Sequence, residues 1–162
     1  MGALTENAVW KILADINDPE IPVISIVELG VVRKVRINGH KALIEMTPTF
    51  SACPAYHAMQ TSIEERLREI GAEQVEIGTV LTPPWSTDAL SDETREKLRR
   101  SGLAVPDRHG GDAQRVLDAG AAVCPYCGSD RTRQTNPFGC TPCRSIAFCE
   151  DCRQPFEQLK PL

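Results

Sequence analysis

Cys124-Pro-Tyr-Cys127-Gly128 and Cys149-Glu-Asp-Cys152, separated by residues 128–148, set the architecture of this chain. Each Cys-x-x-Cys knuckle brings two thiols onto one tight turn. Two such turns joined by a short β-hairpin make the tetrahedral four-sulfur cage that Zn²⁺ prefers. Six of the seven cysteines lie in this last quarter, with few large apolar side chains around them. A segment of about 40 residues with so little to bury is not expected to fold without a metal. The spacing therefore predicts a zinc ribbon, a small β module, over residues 124–162. It also predicts that the main chemistry lies upstream.

Outward from the ribbon, the 162 residues leave room for one further domain of ordinary size. An apolar content of 41% with 25% charged residues reads as a globular, soluble protein. The net charge of −4, with no basic block, argues against a nucleic-acid partner. The first 30 residues lack a basic stretch followed by an apolar one, so no secretory leader is read. No apolar run approaches the roughly 18 residues a membrane span needs. The expectation is a cytoplasmic protein with reduced thiols and no membrane partner. There, paired cysteines mean metal or redox chemistry rather than structural disulfides.

Residues 1–102 read as a small α+β domain. Val9, Ile12, Leu13 and Ile16 share one helical face within 5–16, with Thr5 as its cap. Asn17-Asp18-Pro19-Glu20-Ile21-Pro22 stops that helix. Two strands, 31–37 and 41–47, flank Asn38-Gly39, a two-residue hairpin turn. Residues 53–70 carry Tyr56, Met59, Ile63, Leu67 and Ile70 on one helical face, ending at Gly71. A third strand follows over 74–81, and Ser91 caps a last helix ending before Gly102. The expected fold is thus a three- or four-stranded sheet with helices on one face, then the ribbon. Residues 103–123, rich in Gly, Ala, Asp and Arg, read as a linker, flexible around His109-Gly110-Gly111.

Cys53 is the one cysteine outside the tail, in Thr47-Pro48-Thr49-Phe50-Ser51-Ala52-Cys53-Pro54. Pro54 suits a first helical turn, which puts Cys53 at or next to the N-cap. Unpaired N–H groups and the positive helix end there favour thiolate, the form that attacks or holds a soft metal. The alternative is a small buried residue at a strand–helix junction. His57, four residues on, supplies no more than half a four-ligand site with it. Asp18 and Glu20 read as hard ligands or docking charges, or else as a turn-shaping loop. Trp85, after two prolines, reads as a packing anchor in preference to the alternative, a recognition residue.

Three ligand sets compete for the ribbon metal. Cys124, Cys127, Cys149 and Cys152 make two full knuckles, with a gap just past the roughly 15–20 residues usual for such sites. Phe148 and Phe156 flank the second knuckle and could cover the ion. Cys124 and Cys127 with Cys140 and Cys143 would close a tighter gap, and Cys143 could replace one member of the last pair. Cys140-Thr-Pro-Cys143 could also be a spare thiol pair.

Asp18-Pro19-Glu20-Ile21-Pro22-Val23-Ile24-Ser25-Ile26 with Glu28-Leu29-Gly30-Val31-Val32, then Thr47-Pro48-Thr49 with Cys53-Pro54, then Pro84-Trp85-Ser86-Thr87-Asp88, resemble three signatures of one small domain. Cytosolic iron–sulfur targeting factors and SufT-type maturation proteins share it. With the cysteine-rich tail, residues 5–160 resemble the D-type (PaaD or PaaJ) subunit family of the bacterial phenylacetyl-CoA epoxidase system. The resemblance implies a part in aerobic phenylacetate degradation, beside a diiron oxygenase and a reductase carrying flavin and a 2Fe–2S cluster. It maps the family's reactive cysteine, a transient iron or cluster ligand, onto Cys53. The acidic loop falls on Asp18 and Glu20, with Thr47 and Thr49 beside the cysteine. The tail cysteines of such proteins fall on Cys124, Cys127, Cys143, Cys149 and Cys152. Cys140 departs from that pattern, as does Ala52, where glycine is expected before the cysteine.

Three functional classes follow. A maturation factor would use Cys53 to pass iron or a cluster to the oxygenase or reductase components. Its remaining ligands would come from a client or from a homodimer mate. A thiol–disulfide oxidoreductase would turn over a disulfide through Cys53 or Cys140 and Cys143. A scaffold subunit would tolerate Cys53→Ser but not loss of the ribbon. The first is the reading adopted, with zinc as a structural ion. Oxygenation by this chain alone is not expected, since the helix-borne Glu-x-x-His pairs of diiron sites are missing.

Overall fold

Thr5 starts the first helix as its residue type predicts. Its Oγ1 accepts the Ala8 N–H at 3.2 Å and caps α1 (Glu6–Ala14), which buries Val9 and Leu13. The computed structural model describes residues 4–162, in two units that divide after Trp85.

In the first unit, β1 (Val32–Asn38) and β2 (Lys41–Met46) form an antiparallel hairpin. Asn38 pairs with Lys41, so the loop is Gly39-His40, one residue later than the expected Asn38-Gly39 turn. Gly39, at φ +62, fills the first loop position, where a type II′ turn requires positive φ. β2 alternates half-buried and buried residues, with Ala42, Ile44 and Met46 facing the core. The chain then crosses through α2 (Ala55–Glu69) to β3 (Gln74–Thr79), which lies parallel to β2. The sheet is three-stranded, ordered β1-β2-β3. α1 packs on β1, α2 packs on β3, and the helices touch each other, so both cover one face.

α2 buries Ala55, Met59, Ile63 and Leu67 at a strict four-residue spacing. It ends in a Schellman turn: Gly71 N–H meets Arg68 O at 3.1 Å and Ala72 N–H meets Leu67 O at 3.0 Å. Gly71 at φ +99 permits that reversal. Tyr56, read from the sequence as part of the buried face, is half-buried instead. Its hydroxyl pairs with Thr79 Oγ1 at 3.0 Å, tying the first turn of α2 to the end of β3.

The second unit opens with a 3₁₀ turn (Thr87–Ala89) and α3 (Asp92–Arg100), capped by Ser91 Oγ on the Thr94 N–H. Next come β4 (Leu103–Ala104) and α4 (Ala113–Asp118). The ribbon strands are β5 (Thr132–Asn136), β6 (Arg144–Cys149) and β7 (Pro155–Leu159). The sheet order is β4-β7-β6-β5, with β4 parallel to β7 and the other pairs antiparallel.

Here the structure departs from the sequence reading in two ways. The break falls after Trp85 rather than at residue 102, because β4 is hydrogen-bonded to β7 and so groups α3 with the ribbon. Residues 103–123 contain β4 and α4 instead of a flexible tether. His109 is buried, and Asp88 accepts its N–H at 3.0 Å and that of Gly110 at 2.7 Å. Arg95 donates to Thr87 O and Pro106 O, both at 2.8 Å. Polar bonds of this kind leave no hydrophobic period to read.

The α2 face generates a test. Ile63→Ala should cost about 2–5 kcal/mol, because the methyl groups removed are fully buried. Thr61→Ala, on the exposed face, should cost less than about 0.5 kcal/mol. Denaturant midpoints of the two variants check the difference.

Candidate functional site

Cys53 lies in the turn between the end of β2 and the start of α2, half-buried. Pro54 is the N-cap of α2, so Cys53 stands one position before it. Its N–H donates to Phe50 O at 3.0 Å, and its carbonyl accepts the Tyr56 N–H at 3.2 Å. A short backbone turn thus fixes the cysteine at the C-terminal end of the parallel β2–β3 pair. In open sheets such strand ends are where ligands gather. His57 is exposed on α2, and its carbonyl receives the Thr61 hydroxyl.

Thr47 is buried and its N–H meets Val31 O at 2.8 Å, which binds the segment before Cys53 to the strand entering β1. Thr49 is half-buried in the following bend. Asp18 is buried rather than solvated. Its Oδ1 accepts the N–H groups of Glu20 and Ile21, each at 2.7 Å. Its own N–H donates to Ile24 O at 3.0 Å. Asp18 therefore shapes the loop, and Glu20 is half-buried beside it.

Two further residues of this loop escaped the sequence reading. Ser25 N–H donates to Glu28 Oε2 at 2.8 Å, and Glu28 N–H to Ser25 Oγ at 3.1 Å. That reciprocal capping box was legible as Ser-x-x-Glu. Trp85 is the anchor expected: buried, with Nε1 donating to Leu29 O at 2.8 Å.

In the ribbon, the sulfurs of Cys124, Cys127, Cys149 and Cys152 all lie within 4.8 Å of one another. Cys124 Sγ and Cys152 Sγ are 3.6 Å apart, as are Cys127 Sγ and Cys149 Sγ. A tetrahedral site with metal–sulfur bonds of about 2.3 Å has sulfur–sulfur edges of about 3.8 Å. The donor set and spacing fit a zinc ion. Among the described residues, this is the one group of three or more such side chains close enough to share an ion. Cys140, exposed, and Cys143, buried, are not in it. Cys140 is tied to Glu157 instead. The carboxylate accepts its N–H at 3.0 Å and holds its thiol above the ordinary value.

The two knuckles share one backbone plan. Cys124 O accepts the Gly128 N–H at 3.0 Å, and Cys124 N–H donates to Ser129 O at 2.9 Å. Cys149 O likewise accepts from Arg153, and Cys149 N–H donates to Gln154 O, both at 3.0 Å. Gly128 at φ +74 and Arg153 at φ +61 close the two turns. The N–H groups of Cys152 and Asp151 point at Cys149 Sγ and outweigh its burial, bringing that thiol down to about 7. Burial pushes Cys152 up to about 12, with the neighbouring thiols adding to the rise.

Phe156 packs against Cys124 and Cys149 together with Ala104 and Ala147. Phe148 does not cover the cage as expected. It precedes Cys149 on β6, so pleating turns it to the opposite face. There Arg133 and Arg153 lie over its ring at 5.2 and 5.9 Å. No helix among the described residues is long and apolar enough to cross a membrane.

Comparison with known proteins bears on both units. Residues 6–78 match the family described as iron-sulfur cluster assembly protein, and residues 109–160 match the PaaD zinc beta ribbon domain. A protein of Escherichia coli (strain K12), provisionally named as the D-type subunit of 1,2-phenylacetyl-CoA epoxidase, is 37% identical, with 95% of this chain and 92% of that protein covered. An Fe-S protein maturation auxiliary factor of Porphyromonas gingivalis is 29% identical, over 58% of this chain and 90% of that protein. The solved structure of a conserved hypothetical protein from Thermotoga maritima aligns with a TM-score of 0.53 at 30% identity. It covers 60% of this chain and 98% of its own. An assembly-type α+β unit, a four-cysteine ribbon and 37% identity along nearly the whole chain converge: the chain belongs to the PaaD family, the D-type subunits of phenylacetyl-CoA epoxidase.

Proposed function

We propose that this protein is a maturation subunit of a phenylacetyl-CoA epoxidase system, aiding delivery of iron or an iron–sulfur cluster to the multicomponent oxygenase. The observation that carries this reading is the union, on one chain, of an iron-sulfur assembly domain over residues 6–78 with the ribbon over residues 109–160. The assembly domain supplies the handling of a cluster as cargo, and the ribbon ties that handling to one system.

In this reading Cys53 is the cargo thiol. It sits on a short turn at the strand ends, where one sulfur can engage an incoming iron without enclosing it. A single thiolate leaves the other coordination positions to a client or to a second copy of the chain, which makes transfer easy. Asp18 and the Ser25–Glu28 pair keep the neighbouring loop rigid, and Glu20 is a half-buried acidic side chain of that loop. Cys124, Cys127, Cys149 and Cys152 would hold zinc. Four thiolates fill a tetrahedral ion completely, so the metal supplies folding energy rather than a reactive position. The partners are the oxygenase and reductase components, and the compartment is the cytoplasm.

Two measurements test the parts separately. Stripping metal from the full-length chain with a strong chelator should unfold the ribbon while the 4–85 unit keeps its native amide signals. Retention of the ribbon signals without metal would reject the structural-ion role. Co-production of the oxygenase and reductase components with wild-type chain, with Cys53→Ser and with no chain tests the delivery step. Iron and acid-labile sulfide in the client should fall to the same low level in the last two. Full cofactor content in all three, with failed assembly only when the chain is missing, would replace delivery with a scaffold role.

A further inference from the structure

The two knuckles are also joined outside their sulfurs. Ser129 follows the first knuckle, and its carbonyl accepts the Cys124 N–H at 2.9 Å. Asp151 sits inside the second knuckle, between Cys149 and Cys152. The Ser129 hydroxyl donates to Asp151 Oδ2. So a side-chain bond joins the two knuckles beside two facing sulfurs, those of Cys127 and Cys149, 3.6 Å apart.

Arg131 closes the ring. Its Nη1 donates to Asp151 Oδ1 at 2.7 Å, and its N–H donates to Ser129 Oγ at 3.0 Å. That second bond occupies the hydroxyl oxygen as an acceptor and leaves its proton for the carboxylate. The Arg131 carbonyl takes the Glu150 N–H at 2.9 Å, holding the middle of the second knuckle from the backbone as well.

We propose that Ser129, Arg131 and Asp151 are positioning residues for the metal cage: they hold the Cys127 and Cys149 sulfurs at the spacing a bound ion needs and slow its release. The proposal rests on the reading of the four cysteines as a zinc site. An ion leaves a four-thiolate cage by losing its sulfurs one after another. Parting the two knuckles at Cys127 and Cys149 pulls against the Ser129–Asp151 bond. Partners one step outside the ligands govern metal retention in this manner. The side chains of Arg131 and Asp151 are 70% and 41% exposed, so as a plain ion pair they would add little to fold stability. Their effect belongs to the geometry of the cage.

The test uses the full-length, zinc-loaded chain mixed with excess chromogenic chelator, and reads the rate of zinc release. Ser129→Ala and Asp151→Asn should each release zinc about threefold to tenfold faster than wild type. The double variant should be no faster than the faster single one, since both lose the same bond. Arg131→Lys should stay within about twofold of wild type, because the contact is a single N–H to one oxygen, whereas Arg131→Gln should not. Wild-type release rates in the single variants, or effects that multiply in the double variant, would overturn the proposal. A wild-type chain that carries no zinc and takes up none would instead remove the zinc reading, and this proposal with it.

Discussion

Convergence of four sulfurs is the constraint on which the ribbon depends. Among the described residues of the ribbon, the buried apolar side chains are Cys124, Cys143, Ala147, Cys149, Phe156 and Leu159, only two of them large. That is too little apolar surface to offset the entropy of ordering three strands and two loops. In the proposed role a metal ion replaces the missing core, since binding free energy in such a site is folding free energy. The polar bonds around the cage then have a simple task. They need not hold the chain folded, only keep the thiols in register for an ion that does.

The first unit works by the opposite means. Its order comes from an ordinary apolar core, with α2 laid over the sheet by four buried side chains at regular spacing. The crossover from β2 through α2 to β3 makes the turn holding Cys53 a fixed point between rigid elements. In the proposed role, the Cys53 thiol has to be accessible without being loose. A backbone-bonded turn at the end of a parallel strand pair meets both needs, and the buried Asp18 gives the neighbouring acidic loop the same rigidity.

Wherever one physical signal dominates, the sequence is readable. Thr5 and Ser91 cap helices because a hydroxyl before an apolar period has little else to do. The helical period in 53–70 locates α2, and the knuckle spacing locates the four sulfurs that meet. What escapes is order without a period. Residues 103–123 look like a tether because Gly, Ala and Asp have no hydrophobic pattern, yet Asp88 and Arg95 secure that stretch by hydrogen bonds from far along the chain. Phe148 misleads for a different reason: adjacency in sequence to Cys149 means opposite faces in a strand. The ring of Ser129, Arg131 and Asp151 spans two knuckles, so no local window of residues could show it.

Arg153 carries a wider lesson about such turns. It closes the second knuckle in the left-handed region, at φ +61, where its counterpart in the first knuckle is Gly128 at φ +74. A non-glycine residue there bears roughly 1–2 kcal/mol of backbone strain. The knuckle accepts it because two backbone bonds, Arg153 N–H to Cys149 O and Cys149 N–H to Gln154 O, fix the path of the turn. Its guanidinium also gains a place over Phe148 that a glycine could not fill. The two halves of the cage are thus interchangeable in backbone and unequal in side chain. One half keeps the conformationally cheap residue, while the other trades local ease for a foothold on the outer face of the sheet. A search for such turns that insists on glycine after the second cysteine would recognise only half of this site.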